Sequence, residues 1–415
     1  MSELKVNKIS PRSGTDVTLG DSADTITIPS GATLDATNAT VTYPAGSITD
    51  AAISSTAAIQ QSKISGSPGF RNIVINGDMS IAQRSTSVAS ITTGGYKTLD
   101  RFEMAMDSVG TWTMSQSTDT PTGQGFANSL KLDCTTADAA PAAGDYLIII
   151  QKFEGQNLQY LKKGTASALS LTASFWVKST KTGTFICEIF DNDNSRQISA
   201  SYTVNVTNTW EFKTITFPGD TTGTLNNDNG TSLTLRFWLV AGSTYSSGTL
   251  ATSWASNVNA NAAVGQVNIA DSTSNDWYIT GVQLEAGTTA SDFEFLPVDV
   301  NLARCQRYYY GHAIGSDTFK PIGGVSYYSS SIVIGFLQFP STMRTIPSLV
   351  STSGVSFYRI DRNTSQNYLN SLTIVNTSEN MTGVVNITEA SGTAGDSGWL
   401  YTNDASATVA FNSEL

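Results

Sequence analysis

Two nine-residue runs constrain this chain more than any other feature. LTASFWVKS puts Leu171, Ala173, Phe175 and Val177 on one side, and Thr172, Ser174, Trp176 and Lys178 on the other. SLTLRFWLV repeats the pattern, with Leu233, Leu235, Phe237 and Leu239 opposed to Thr234, Arg236 and Trp238. Period two is the spacing of a pleated strand with one buried face; wound on a helix, the same residues would scatter around the axis. Further runs at 146–153, 184–190, 202–206, 213–217 and 277–284 lie between Asn, Asp and Gly turns. Together they predict antiparallel sheets, in a number that suits a jelly-roll sandwich.

Composition narrows the class. Charged residues make up 14% of the 415, against roughly 25% in an average soluble protein, and Thr, Ser, Asn and Gly take their place. Hydroxyl and amide side chains satisfy exposed strands and turns without strong fields, which suits rigid β-assemblies outside cells. A net charge of −11 and a pI near 4.6, with no Lys/Arg cluster, exclude a phosphate backbone as partner. Cys134, Cys187 and Cys305 are odd in number and make no CxxC pair, so they read as buried thiols. No run approaches the ~18 apolar residues that cross a bilayer, and no apolar segment follows a basic start. An extracellular composition without a signal peptide fits a part of a virion released by lysis.

The chain is long enough for several domains. Residues 1–69 carry short β-prone pieces around single apolar anchors such as Ile26, Ile28, Leu34, Val41 and Tyr43. These read either as a shaft or attachment segment that buries its anchors against partner chains, or as a tether. Within them, Ile48 and Ile59, and Ile53 and Ile64, are eleven apart, a spacing that permits a short right-handed helical bundle. Residues 70–297 are expected to form the jelly-roll, 298–311 a connector with helical spacing at Val300, Ala303 and Arg307, and 312–415 a C-terminal β-sandwich or tip domain. The predicted class is all-β, an elongated multi-domain fibre.

The run RNIVINGDMSIAQR at 71–84, followed by LDRF at 99–102, resembles the opening of a recurrent phage and prophage tail-fibre module. The resemblance continues through SFWVKSTKTGTF, NTWEFKTITFPGDTTGT, AAVGQVNIADST and YITGVQLEAG, and closes with FEFLPVDVNLARCQRYYY. Downstream, FPSTMRTIPSL is similar to the start of the β domain that often follows, and SELKVNKISPRSGT resembles shaft starts in fibres of marine phages, particularly of cyanobacteria. The resemblance implies a jelly-roll similar to carbohydrate-binding modules, in a homotrimeric, non-enzymatic fibre. Such a fibre is held to tail or baseplate proteins at one end and presents host-recognition domains at the other. The expected partner is a host-surface glycan such as lipopolysaccharide, and the expected location is the virion.

Trp176 and Trp238, near Lys178 and Arg236, lie opposite their aliphatic stripes, where an exposed indole would stack on a sugar ring. The competing reading is a face packed against another sheet or subunit. DNDN at 191–194 offers oxygen ligands but lacks the spaced order of a calcium loop, so it reads as a solvated hairpin turn. Carbohydrate-binding jelly-rolls often hold calcium through an acidic residue in the last strand, where this chain has Gly281; no metal or cofactor is expected. His312 is the one histidine, which excludes a two-histidine zinc site and points to a surface or interface imidazole. No pair of carboxylates stands out for glycan hydrolysis, and no turn-by-turn repeat suggests a β-helix depolymerase. A purely architectural fibre and, behind it, a polysaccharide-degrading tailspike are the alternatives to an adhesin.

Overall fold

The computed structural model describes residues 70–314, 319–363, 365–386 and 389–415. The shaft pieces and the eleven-residue isoleucine spacing fall outside them. The described chain is almost entirely β, as its alternation requires.

Two antiparallel sheets face each other. The front sheet has seven strands in the order Ala255–Ser256, Arg196–Val204, Gly183–Asp191, Thr231–Ala241, Tyr146–Glu154, Glu103–Asp107 and Gly95–Tyr96. The back sheet has six, in the order Ser87–Ile91, Thr111–Ser117, Ser129–Thr136, Asp276–Ala286, Leu171–Ser179 and Glu211–Phe217. Both apolar stripes read from the sequence turn inward: Leu171, Ala173, Phe175 and Val177 meet Leu233, Leu235, Phe237 and Leu239 in one core with Trp112, Phe185 and Trp277. Five strands before residue 137 were not singled out from the sequence and appear only here. The three cysteines are free and buried.

The run that opens the module forms almost no regular structure. Its asparagines replace the missing ladder bonds, because buried backbone groups need partners. Asn72 accepts from the amides of Val74 and Leu284 through Oδ1 and donates to the Val282 carbonyl. Asn76, at φ 62°, closes a loop by accepting from Ile81 N–H and donating to the Ile81 and Asp100 carbonyls. Asn301, on the helix Val298–Gln306, accepts from Asn76 N–H and donates to Asp78. The helical spacing expected after Pro297 is thus realised, and it is tied back to the module's opening.

Beyond the helix, a three-stranded sheet (Tyr309–Ala313, Val409–Asn412, Ser348–Ser351) and a second seven-stranded sheet enclose another core. The latter runs Ser365–Leu369, Tyr358–Arg362, Ser397–Thr402, Pro321–Tyr327, Val333–Gln338, Met381–Asn386, Thr373–Val375. Arg307 joins the two sandwiches by donating twice to Glu154, both bonds 2.7 Å long.

Candidate binding recess

The four residues singled out from the sequence form two pairs. Trp176 and Lys178 belong to the back sheet, Arg236 and Trp238 to the front sheet. Because each pair points away from the shared core, the pairs lie on opposite outer faces of the sandwich and do not form one site.

On the front sheet the register assembles two rows. Arg236 lies between Glu188 and Ile150, and Trp238 between Ile186 and Ile148. The segment after Ala241 folds back over this face through the short helix Ser243–Ser246 and the 3-10 turn Asn259–Asn261. Tyr245 thereby lies 5.3 Å from Trp238 and 5.4 Å from Tyr146, ring centroid to centroid. What remains is a recess of about 320 Å³, with Tyr146, Tyr245, Phe190, Arg236, Asn257 and Asn259 among its lining residues. A volume of this size is at the lower end for small-ligand sites.

The expected exposure of Trp238 is corrected here. The indole is 2% exposed, beneath Tyr245, and its N–H donates to Glu188 Oε2 at 2.7 Å. It is a floor for the recess, and the rings that can meet a ligand are Tyr146 and Tyr245, which short-range alternation could not reveal. Glu188 is fully buried; burial pushes its carboxyl up from the usual range, against the pull of Arg236 and the Trp238 N–H. Arg236 stacks on Phe190 at 4.0 Å and reaches Glu188 only at 3.4–3.5 Å, a long and weak pairing. Its Nε–H finds no partner among the described residues.

The back-sheet pair behaves differently. Lys178 is buried, ion-paired with Asp119, and sits 4.2 Å from the centre of the Tyr278 ring, so its charge is already engaged. Trp176 is half-buried, packs against Phe212 at 5.3 Å, and lines a second recess of about 600 Å³. There Phe126, Phe293 and Phe295 cluster with ring centroids 4.8–5.1 Å apart. Gly281 makes this cluster fit: it sits at φ 62°, and a Cβ there would come within 2.6 Å of the Phe126 ring. A ring fills the place where an acidic side chain would stand.

The DNDN turn also departs from expectation. Asp191 is fully buried and bonded to Lys163, so the turn is not simply solvated. Among the described residues no three His, Cys, Asp or Glu side chains gather into a cluster. His312 is half-buried. Its Nε2 is 2.8 Å from the Ile322 carbonyl, which requires a proton there, and its Nδ1 accepts from Tyr310 O–H at 2.7 Å. Burial lowers its pKa, consistent with this neutral tautomer.

The chain is similar to carbohydrate-binding modules and to a phage tailspike domain. No family model and no curated protein matches it. Among solved structures, the enzymatically active domain of tailspike protein 4 from bacteriophage CBA120 is 16% identical, with a TM-score of 0.28 over 52% of this chain and 21% of that one. TmCBM61, solved in complex with β-1,4-galactotriose, is 9% identical over 52% of this chain and 99% of its own, with a TM-score of 0.27. The family 11 carbohydrate-binding module from Clostridium thermocellum, in complex with a β-1,3-1,4-mixed-linked tetrasaccharide, is 12% identical over 48% and 100%, with a TM-score of 0.25. Likenesses of this size leave the ligand class to the residues of the recess.

Proposed function

We propose that this chain is the subunit of a homotrimeric bacteriophage tail fibre, located in the virion, that adheres to a host-surface glycan such as lipopolysaccharide. The front-sheet recess is the binding site in this reading. The observation that carries it is the Arg236 guanidinium, stacked on Phe190, weakly paired with Glu188 and lining the same recess as the Tyr146 and Tyr245 rings. Sugar recognition needs that combination of an apolar ring with a fixed, incompletely used donor. Trp176 on the opposite face offers a second, more open ring for the same chemistry, with Lys178 supporting the sheet beneath it.

Binding without hydrolysis is supported by the donor set. The recess lining holds one carboxylate, Glu188, and it is already engaged by Trp238 and Arg236, whereas glycosidic cleavage ordinarily uses two. Adhesion by a trimer follows from simple arithmetic: three weak sites on one scaffold reinforce each other through effective concentration. The segment before residue 70 is assigned to attachment at the tail or baseplate.

The test pairs mass with binding on one sample. Light scattering should give three times the chain mass, and titration with extracted lipopolysaccharide of the host should show saturable binding. E188Q/R236Q removes both charges while the amide oxygen still accepts from the Trp238 N–H. It should fold as a trimer and lose at least about 1.4 kcal/mol, a tenfold drop in affinity. Unchanged affinity would remove the recess from the account, and a stable monomer would remove the trimer.

A further inference from the structure

Away from both recesses, the ammonium of Lys163 sits in a cage of oxygens. Its Nζ lies 2.5 Å from Asp191 Oδ2, 2.9 Å from Asp220 Oδ2, and 3.0 and 2.9 Å from the carbonyls of Thr222 and Gly223. An ammonium has three protons, so four oxygens around one nitrogen is a cation's coordination more than a set of directed hydrogen bonds. Lys163, Asp191 and Asp220 are all buried. The oxygens come from a strand end and a separate loop, and each carboxylate is oriented by further donors: Asp191 by Asn194 N–H and Nδ2, Asp220 by Arg196 and Thr222 N–H.

We propose that Lys163 is a tethered substitute for a divalent cation: the chain carries an all-oxygen site of the calcium type and fills it with its own ammonium. Oxygen-only donors suit a hard cation, which takes six to eight of them. The cage supplies four, and the side chain borders an open recess of about 450 Å³ from which water would supply the rest. Without the lysine, two carboxylates would face only Arg196, leaving one uncompensated negative charge. The caged turn leads directly into the wall of the front recess. The Ser195 carbonyl accepts from Asn257 N–H at 2.8 Å, and Gln197 donates to the Val258 carbonyl at 3.0 Å. The ammonium thus steadies the turn whose Ser195 carbonyl holds Asn257 in the recess wall.

The test uses the full chain and replaces lysine with a residue that cannot reach the cage. K163S is compared with wild type in EDTA and during calcium titration, by thermal denaturation and by terbium luminescence. The Trp254 ring, 5.2 Å from the present Nζ, stands close enough to sensitise a bound terbium ion. Wild type should melt at the same temperature in EDTA and in calcium and show no terbium emission. K163S should melt several degrees lower in EDTA, recover most of that loss with calcium, and emit with terbium; adding D191N should abolish the emission. Should K163S fail to fold in EDTA, refolding from urea only when calcium is present would support the proposal, and failure in both would overturn it. Full stability of K163S in EDTA, absence of terbium emission, or a wild type destabilised by EDTA would each overturn it as well.

Discussion

Trp238 shows how one residue can fit the pattern expected of a ligand platform and still serve a different purpose. Its indole closes the outer face of the front sheet, contacts Tyr245 and satisfies the buried Glu188. W238A should therefore cost about 3–5 kcal/mol in urea denaturation, so a loss of binding in that variant would report unfolding before it reported contact. Asp100 offers a prediction tied to pH. Burial raises its carboxyl to about 6 from 3.8, with Arg84 and Gln83 pulling back. A carboxyl raised on folding binds more protons in the native state than in the unfolded chain. Its contribution is thus complete below about pH 4 and is lost as pH rises through about 6. D100N should flatten that part of the stability–pH curve, and an unchanged slope would assign it to other groups.

At the level of elements, Gly281 interrupts the last long strand at a register shift between Thr280 and Gln283 against Leu171–Ser179. The positive φ and the Phe126 ring both exclude a Cβ. G281A should destabilise by more than about 1 kcal/mol and displace the Phe126–Phe293–Phe295 cluster, visible as chemical-shift changes confined to the back recess. Long alternating strands such as Thr231–Ala241 were legible in the sequence because one face is uniformly apolar. Glu103–Asp107 and Ser129–Thr136 alternate too, burying Met104 and Met106, and Leu130, Leu132 and Cys134, but Met, Leu and Cys mark a strand less distinctly than the β-branched and aromatic residues do.

On the scale of the whole molecule, the two sandwiches are joined through buried charge. Glu414 pairs with Arg84 at 3.1 Å and with the fully buried Arg101, while Arg344 and Asn229 exchange backbone–side-chain bonds of 3.0 and 2.8 Å. Removing one member of a buried pair strands the other, which typically costs about 3–5 kcal/mol. E414A should accordingly divide a single calorimetric transition into two, as the C-terminal sandwich loses its hold on the central one; one unshifted transition would show that Glu154–Arg307 suffices.

By itself the sequence determined the all-β class, the inward stripes of the central sandwich, its buried thiols and the helical turn after Pro297. Each of these is written in residues close together along the chain, where period and propensity act. Which outward residues meet a ligand, and which are covered, was decided only by the tertiary structure. Tyr245 reaches Tyr146, Lys163 reaches Asp191, and Glu414 reaches Arg101 across separations no local pattern encodes, because burial and charge compensation are properties of surfaces brought together by folding.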